Sequence, residues 1–269
     1  MRKLLASDLD GTLLGTSKVL SEPVKRAVKR WQDAGNLFVI ATGRMISSLE
    51  YYADQLNASQ YIISCSGAVT YEDKKPIREH RVPMEKVETL WKVMQETGGY
   101  AQVYAGRKLV AIRRGGVAER YENYVKTLPE PYSIPISYAK ELGEDFPRDV
   151  HKLSFTFESE EEAKQVLEKM GNLQDVNCFK SLSYLYDIIS LQSNKGIAVK
   201  SLAERLGIRE EDTYVIGDNE NDVSMFEYFK NSGIMRSAPS HLHGKAGMVL
   251  PSAEEDGVAE FIDRILSAQ

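Results

Sequence analysis

The chain has 269 residues, of which 42% are hydrophobic and 27% are charged. These proportions are typical of a globular protein and exclude a disordered chain, and the length allows one large domain or two smaller ones. The formal net charge of −5 gives no general attraction for nucleic acid or for an anionic membrane, so we expect neither as a partner.

The two cysteines, Cys65 and Cys178, lie too far apart in sequence to form a disulfide framework, which favours a reducing compartment. The apolar start of the chain reaches Asp8 after a few residues, unlike the core of a signal peptide. No apolar run approaches the ~18 residues that a membrane helix needs. We therefore expect a cytoplasmic protein.

The first third of the chain alternates predicted strands and helices. The predicted elements are a strand over 4–7, a helix that Ser21 caps and Gly35 ends, a strand over 37–41, a helix over 45–57 and a strand over 61–65. The second and third strands are apolar on both faces, as strands are when helices cover both sides of a parallel sheet. The fold class that this alternation predicts is α/β, with a doubly wound parallel sheet.

Residues 83–187 have a different pattern. Residues 151–158 alternate strictly between apolar and polar side chains, which predicts a strand with one apolar face. The other elements predicted here are strands over 100–114 and 182–191 and helices over 84–97, 117–128 and 159–170. We expect a smaller sheet that helices cover on one side only, with its other face open to solvent or to a partner surface.

After Lys195 the first pattern returns. The predicted elements are a helix over 196–206, a strand over 214–216, a helix from Asn219 and a last helix from Glu254. We therefore predict one discontinuous core domain, residues 1–82 and 188–269, and one inserted α/β domain, residues 83–187.

Two acids, Asp8 and Asp10, directly follow the first predicted strand. Open α/β sheets bind ligands at the carboxyl ends of their strands. Two acids followed by Gly11 can present a side chain and a backbone carbonyl to a hard cation. Taken alone, these residues are explained equally well as an acid-rich turn.

Further polar residues stand where other predicted elements meet. Thr42 and Gly43 close the second strand, where a hydroxyl and amides can form a small anion site or simply cap a helix. Lys195 precedes a predicted helix, where a cation opposes the helix dipole. It is either a surface lysine that tolerates this cost or a residue that holds an anion together with the helix amides. Asp218 ends the strand that begins at residue 214, and Asp222 follows four residues later.

In their order and spacing these residues resemble the four motifs of the haloacid dehalogenase superfamily (HAD). The segments that carry the resemblance are Asp8-Leu9-Asp10-Gly11-Thr12, Thr42-Gly43-Arg44, Lys195 and Gly217-Asp218-Asn219-Glu220-Asn221-Asp222. More closely, the chain is similar to the Cof-type phosphatases, whose large cap domain lies between the second and third motifs. The resemblance implies a Rossmann-like core, with residues 83–187 as the cap that decides substrate specificity.

This resemblance implies a phosphatase of a small phosphorylated metabolite, such as a sugar phosphate. Asp8 would be the nucleophile that forms an aspartyl phosphate, and Asp10 would be the general acid and then the general base. Mg2+ would be held by Asp8, by the backbone carbonyl of Asp10 and by Asp218. The groups implied to bind the phosphoryl oxygens are the Leu9 amide, Thr42, Gly43, Lys195 and Asn221. Asp222 and Arg44 would lie just outside the groups that touch metal and substrate.

Two other functions are compatible with the same residues: a phosphotransferase or mutase that uses the same aspartyl phosphate, and a catalytically silent sensor of a phosphorylated metabolite. The sequence also departs from the family pattern. Ser66 stands where the family usually has Asn, and Arg236-Ser237 replaces a usual Gly-Asn. We consider two places for Arg236: close to the substrate, where it would recognise a second anionic group, or in a solvated loop.

Overall fold

A computed structural model describes residues 2–267. The strands are β1 (Leu4–Ser7), β2 (Leu37–Ala41), β3 (Tyr61–Ser64), β4 (Val69–Glu72), β5 (Lys75–Glu79), β6 (Tyr100–Ala105), β7 (Lys108–Ala111), β8 (Ile136–Tyr138), β9 (Val150–Thr156), β10 (Val176–Leu182), β11 (Leu185–Ser190), β12 (Thr213–Gly217), β13 (Ser232–Met235) and β14 (Met248–Leu250). The α-helices are α1 (Glu22–Asp33), α2 (Glu50–Gln55), α3 (Met84–Thr97), α4 (Gly116–Val125), α5 (Glu160–Met170), α6 (Lys195–Arg205), α7 (Val223–Tyr228) and α8 (Gly257–Ser267). Within the described residues, no helix is long and apolar enough to cross a membrane.

The chain divides into two compact units. Within the described residues, the first unit runs to Gly43, resumes over Tyr52–Arg78 and continues from Asn194. The second unit comprises Arg44–Tyr51 and Glu79–Ser193, so its bounds are wider than residues 83–187 and include a short segment from the first third of the chain. That residues 83–187 act as a specificity cap stays a prediction.

The first unit contains an eight-stranded sheet in the order β14-β13-β12-β1-β2-β3-β4-β5. The pairs from β14 to β3 are parallel, and β4 is antiparallel to β3. Strands β1, β2 and β3 are buried along their whole length, which explains why their sequences are apolar on both faces. The predicted fold class, a doubly wound α/β sheet, is confirmed.

Helices cover both faces of this sheet. Helix α1 packs beside α8, and the Trp31 ring of α1 meets the ring of Tyr214 on β12 edge to face, with centroids 5.9 Å apart. Helices α6 and α7 pack together in the other layer, where Val199 and Met225 share a buried cluster with Val39 of β2. Ser21 caps α1 as predicted, because its side chain accepts a hydrogen bond from Val24 N.

The second unit contains a six-stranded sheet in the order β10-β11-β9-β6-β7-β8, antiparallel except for the β7–β8 pair. Helices α3 and α5 pack beside each other, and their apolar side chains share one cluster with Val103, Leu153 and Phe155 of the sheet. This is the helix-covered face that the alternating sequence predicts.

The other face of this sheet was expected to be open to solvent or to a partner surface, and at the centre of the sheet exposure to solvent is wrong. Lys152, Ser154 and Asp187 lie on that face, and each is at most 5% exposed. Lys152 Nζ lies 3.2 Å from Asp187 Oδ2, and Ser154 Oγ donates to Asp187 Oδ1 at 2.5 Å. On the same face Tyr100 OH accepts a hydrogen bond from Ala118 N of α4. Polar side chains can be buried when they pair with one another, so the alternation alone did not show which face is solvated.

Candidate active site

The ends of three neighbouring strands place the predicted residues at one edge of the first sheet. Strand β1 lies between β2 and β12 and is parallel to both. Asp8 follows β1, Thr42 follows β2 and Asp218 follows β12. Because parallel neighbours end at the same edge, the side chains that follow these strands come together.

Asp8, Asp218 and Asp222 form one cluster of carboxylates, with an oxygen of each within 4.8 Å of the others. Asp8 and Asp222 are buried, and Asp218 is half-buried. Burial, reinforced by Asp222 and Asp10, raises the pKa of Asp8 to about 7, although Lys195 opposes the rise. Burial and the charge of Asp8 raise the pKa of Asp218 to about 8. The cluster therefore retains protons near neutral pH when no cation is bound.

Lys195 is the first residue of α6, and it is completely buried. Its Nζ donates to Asp8 Oδ1 and to Asp222 Oδ1, each at 2.6 Å. Burial disfavours the ammonium, but Asp222 and Asp8 together hold the pKa of Lys195 above its usual range. A fixed positive charge thus lies against Asp8. At the start of a helix this charge opposes the helix dipole, and the two carboxylates compensate that cost.

Asp222 fixes both Lys195 and the turn after β12. Its Oδ2 accepts hydrogen bonds from the backbone N of Asp218 at 2.9 Å and of Asn219 at 3.0 Å. Gly217 is required here, because a Cβ on it would overlap the Asp222 carboxylate. Both oxygens of Asp222 therefore have partners within the protein, and Asp8 and Asp218 are better placed to bind a cation.

The cluster fits Mg2+. It consists of carboxylates alone, which are hard oxygen ligands that suit Mg2+ better than zinc. Thr12 Oγ1 donates to Asp218 Oδ1 at 2.7 Å and leaves the second oxygen for other contacts. Gly11 lies so close that a Cβ would overlap Asp218 Oδ2, so the turn after β1 packs directly against this carboxylate. Thr12 belongs to the first motif, but sequence reasoning gave it no role.

Asp10 lies apart from the three clustered carboxylates. Its side chain is 37% exposed, and Lys18 Nζ lies 2.9 Å from its Oδ1. A partly exposed carboxyl can exchange protons with solvent, as an acid and base must. Sequence reasoning missed Lys18, which stands eight residues further along the chain with no motif around it.

The remaining predicted phosphate-binding residues lie close to one another. Ser66 N donates to Thr42 O at 3.0 Å, which joins the turn after β3 to the turn after β2. A Cβ on Gly43 would lie 3.3 Å from Ser66 Oγ and 3.7 Å from Asn221 Nδ2. Leu9 is buried beside Asp8. The structure thus brings Thr42, Gly43 and Asn221 together and adds Ser66 to them.

Two arginines have partners elsewhere. Arg44 is part of the second unit, where its guanidinium lies 5.7 Å from the ring centroid of Tyr124 and donates to Ser48 O at 3.3 Å. Its role beside the site stays a prediction. Arg236 is largely exposed, and its Nη1 lies 3.5 Å from both carboxylate oxygens of Glu255. This agrees with the solvated loop, not with a charge held against the substrate.

Comparison with known proteins decides the family. A family model described as haloacid dehalogenase-like hydrolase matches residues 5–262. The chain belongs to this family. The resemblance to HAD proteins, and to their Cof-type members, is thereby confirmed.

Several HAD relatives match the whole chain. The 5-amino-6-(5-phospho-D-ribitylamino)uracil phosphatase YwtE of Bacillus subtilis is 29% identical over 99% of this chain and 99% of its own. The pyridoxal phosphate phosphatase YbhA of Escherichia coli is 25% identical over 97% of each chain. A crystal structure of a HAD-like hydrolase from Bacteroides thetaiotaomicron superimposes with a TM-score of 0.86 and 25% identity, covering 98% of this chain and all of that one.

Proposed function

We propose that this protein is a Mg2+-dependent phosphatase that hydrolyses a small phosphorylated metabolite through an aspartyl phosphate on Asp8. The observation that carries the proposal is the contact of Asp8 with the buried Lys195 beside Asp218. Membership of a hydrolase family and relatives named as phosphatases of phosphorylated metabolites support it. A sugar phosphate or a similar phosphomonoester is the substrate class that we propose.

Asp8 is the nucleophile in this proposal. One carboxylate oxygen attacks phosphorus, the bond from phosphorus to the leaving oxygen breaks, and the phosphoryl group remains on Asp8. Lys195 favours the ionised form of Asp8 against the effect of burial and lies close enough to compensate negative charge on the phosphoryl oxygens. Thr42, Gly43, Asn221 and the Leu9 amide orient these oxygens.

Asp10 transfers protons in both steps. Its carboxyl protonates the departing oxygen in the first step and accepts a proton from the attacking water in the second. The ion pair with Lys18 holds the Asp10 carboxylate in place between turnovers. Water then releases inorganic phosphate and restores Asp8.

Asp8 and Asp218, with the backbone carbonyl of Asp10, would hold Mg2+. When bound, this ion supplies positive charge that neutralises the phosphoryl oxygens and draws the carboxylates into their ionised state. Asp222 keeps Lys195 and the turn after β12 in position.

We further propose that residues 83–187 select the substrate and that the protein works in the cytoplasm. The change from continuously apolar strands in the first unit to strands of alternating apolar and polar side chains in the second supports the first statement. The cysteine content supports the second.

A screen of phosphorylated metabolites, with p-nitrophenyl phosphate as a general substrate, tests the proposal. We expect Mg2+-dependent release of inorganic phosphate that EDTA abolishes, and a loss of several orders of magnitude in Asp8→Asn, because an amide is not a nucleophile. Asp54→Asn is a matched control on the same unit. Near-normal turnover by Asp8→Asn, or with EDTA, would contradict the mechanism, and transfer to a sugar hydroxyl instead of water would indicate a phosphotransferase.

A further inference from the structure

A buried hydroxyl beside Gly43 lacks a hydrogen-bond partner among the described residues. Ser66 is buried, and its Oγ has no partner among the described residues. Buried polar atoms in native proteins are nearly always hydrogen-bonded, so such atoms indicate a place where a bound group completes the bonds.

The backbone of Gly43 lies close to this hydroxyl and to a second hydrogen-bond donor, Asn221 Nδ2. The position where a Cβ on Gly43 would stand lies 3.3 Å from Ser66 Oγ and 3.7 Å from Asn221 Nδ2. A hydroxyl and an amide N–H₂, both hydrogen-bond donors, thus flank one point. Two donors close together suit an oxygen atom that carries negative charge.

The backbone around Ser66 is held in a strained conformation. Cys65 and Ser66 have φ angles of 48° and 56°, in the left-handed region that residues other than glycine rarely adopt. Gly67 follows with φ of 91°, and a Cβ on it would overlap the carbonyl oxygen of Asn194, next to Lys195. Strain of this kind persists where the surroundings enforce it, and it clusters at ligand sites.

The turn is therefore fixed from two sides. Ser66 N is bonded to Thr42 O, and Gly67 packs against the start of α6 at Lys195. Thr42 and Lys195 are both residues that the proposed function assigns to the phosphoryl group. Ser66 Oγ is thus anchored between the two elements that surround the expected position of that group.

We propose that the hydroxyl of Ser66 donates a hydrogen bond to a phosphoryl oxygen of the substrate, with Asn221 Nδ2 as a second donor nearby. The inference rests on the proposed function, because it requires a phosphoryl group at Asp8. It adds a binding residue at the position where the family usually has Asn. A hydroxyl that binds the transferred group contributes equally to every phosphomonoester and to the product, inorganic phosphate.

Ser66→Ala removes the hydroxyl and keeps a Cβ at the strained position. In the Mg2+-loaded enzyme we expect the inhibition constant of inorganic phosphate, measured against p-nitrophenyl phosphate, to rise about tenfold or more, since a hydrogen bond to a charged group is lost. Titration calorimetry with inorganic phosphate should give the same weakening without turnover. Thr70→Val is the matched control, because Thr70 Oγ1 is also buried without a partner among the described residues but belongs to β4.

The Ser66→Gly variant distinguishes the effect of the hydroxyl from the effect of backbone strain. It removes the same hydroxyl but relieves the left-handed strain, so both variants should weaken phosphate binding equally if the hydroxyl is responsible. Unchanged phosphate binding in both variants, or in Ser66→Gly alone, overturns the inference while the hydrolysis of p-nitrophenyl phosphate by the wild type still supports the proposed function. A wild-type protein that neither hydrolyses this ester nor binds phosphate overturns both.

Discussion

Replacing Lys195 by methionine removes a buried positive charge and keeps a side chain of similar length. The ammonium donates to Asp8 and Asp222 at 2.6 Å, so the variant leaves two buried carboxylates without their cation. Removing one partner of a buried ion pair costs about 3–5 kcal/mol. Protonation of a carboxyl in the variant offsets part of this cost, and we expect a loss of about 3 kcal/mol in the free energy of unfolding near pH 8.

The loss should depend on pH. The pKa of Asp8 in the folded protein is already raised to about 7, and it rises further when Lys195 is absent. A raised folded pKa favours the protonated folded protein, so its contribution to stability is present in full below the unfolded value of 3.8 and is lost as pH rises through 7. The difference between wild type and Lys195→Met should therefore be larger at pH 8 than at pH 5.5.

Urea unfolding followed by circular dichroism, in EDTA, measures this difference at both pH values. Lys200→Met is the control, since Lys200 lies on the same helix but is exposed. Its ammonium lies 5.2 Å from the Tyr228 ring centroid, a contact worth about 0.5–1 kcal/mol at an exposed site. If Lys195→Met is no less stable than this control at pH 8, the buried ion pairs do not stabilise the fold as argued.

Three further predictions concern the metal, the turn at Gly67 and Asp10. Burial raises the pKa values of Asp8 and Asp218 to about 7 and about 8, so Mg2+ binding should release protons and should strengthen from pH 6 to pH 8.5. Calorimetry in buffers of different ionisation enthalpy measures the number of protons released. Mg2+ binding without proton release would contradict the prediction. Gly67→Ala should cost more than about 1 kcal/mol of stability and reduce kcat, whereas Gly98→Ala, also at positive φ but with open space, should leave kcat unchanged. Asp10→Asn should lose most turnover on esters with poor leaving groups, and an equal loss on good and poor ones would argue against its acid role.

Strands β1, β2 and β3 were predictable because burial on both faces leaves a continuous apolar run. Strand β1 was predicted with the bounds that the structure has, and β3 was predicted only one residue too long. The hairpin of β4 and β5 was missed. Strand β5 is a mostly polar edge strand, and the turn before it uses Asp73 and Lys74 at positive φ where Asn-Gly would have been a clear signal.

Local sequence also could not show where a helix is interrupted. Residues 45–57 were predicted as one helix, but the structure has a 3-10 turn over Ile46–Ser48 and then α2. The boundary between the two units falls within α2, after Tyr51, so it does not account for the break before Glu50. The buried Glu50 forms an ion pair with Arg107, a partner far along the chain that no local pattern reveals.

The candidate site was predictable where a residue follows a strand and unpredictable where two distant side chains meet. Asp8, Thr42 and Asp218 were found because strand ends share an edge. The pairing of Lys195 with Asp222 depends on the packing of α6 against the turn after β12, and that of Lys18 with Asp10 on the path of a loop. Ser66 was noted only as a departure from a family pattern, since its backbone conformation cannot be inferred from its neighbours.

The charges of the carboxylate cluster give a reason why the proposed metal and phosphate would share one site. With Asp8, Asp218 and Asp222 ionised, Lys195 leaves two negative charges uncompensated in a largely buried place. Burial and the neighbouring carboxylates raise the pKa values of Asp8 and Asp218, so protons supply the missing charge when no cation is present. A divalent cation would supply the missing positive charge without requiring a proton on Asp8. A phosphate dianion brought to this edge without the cation would meet an acidic cluster, so binding of the cation must precede or accompany binding of the substrate.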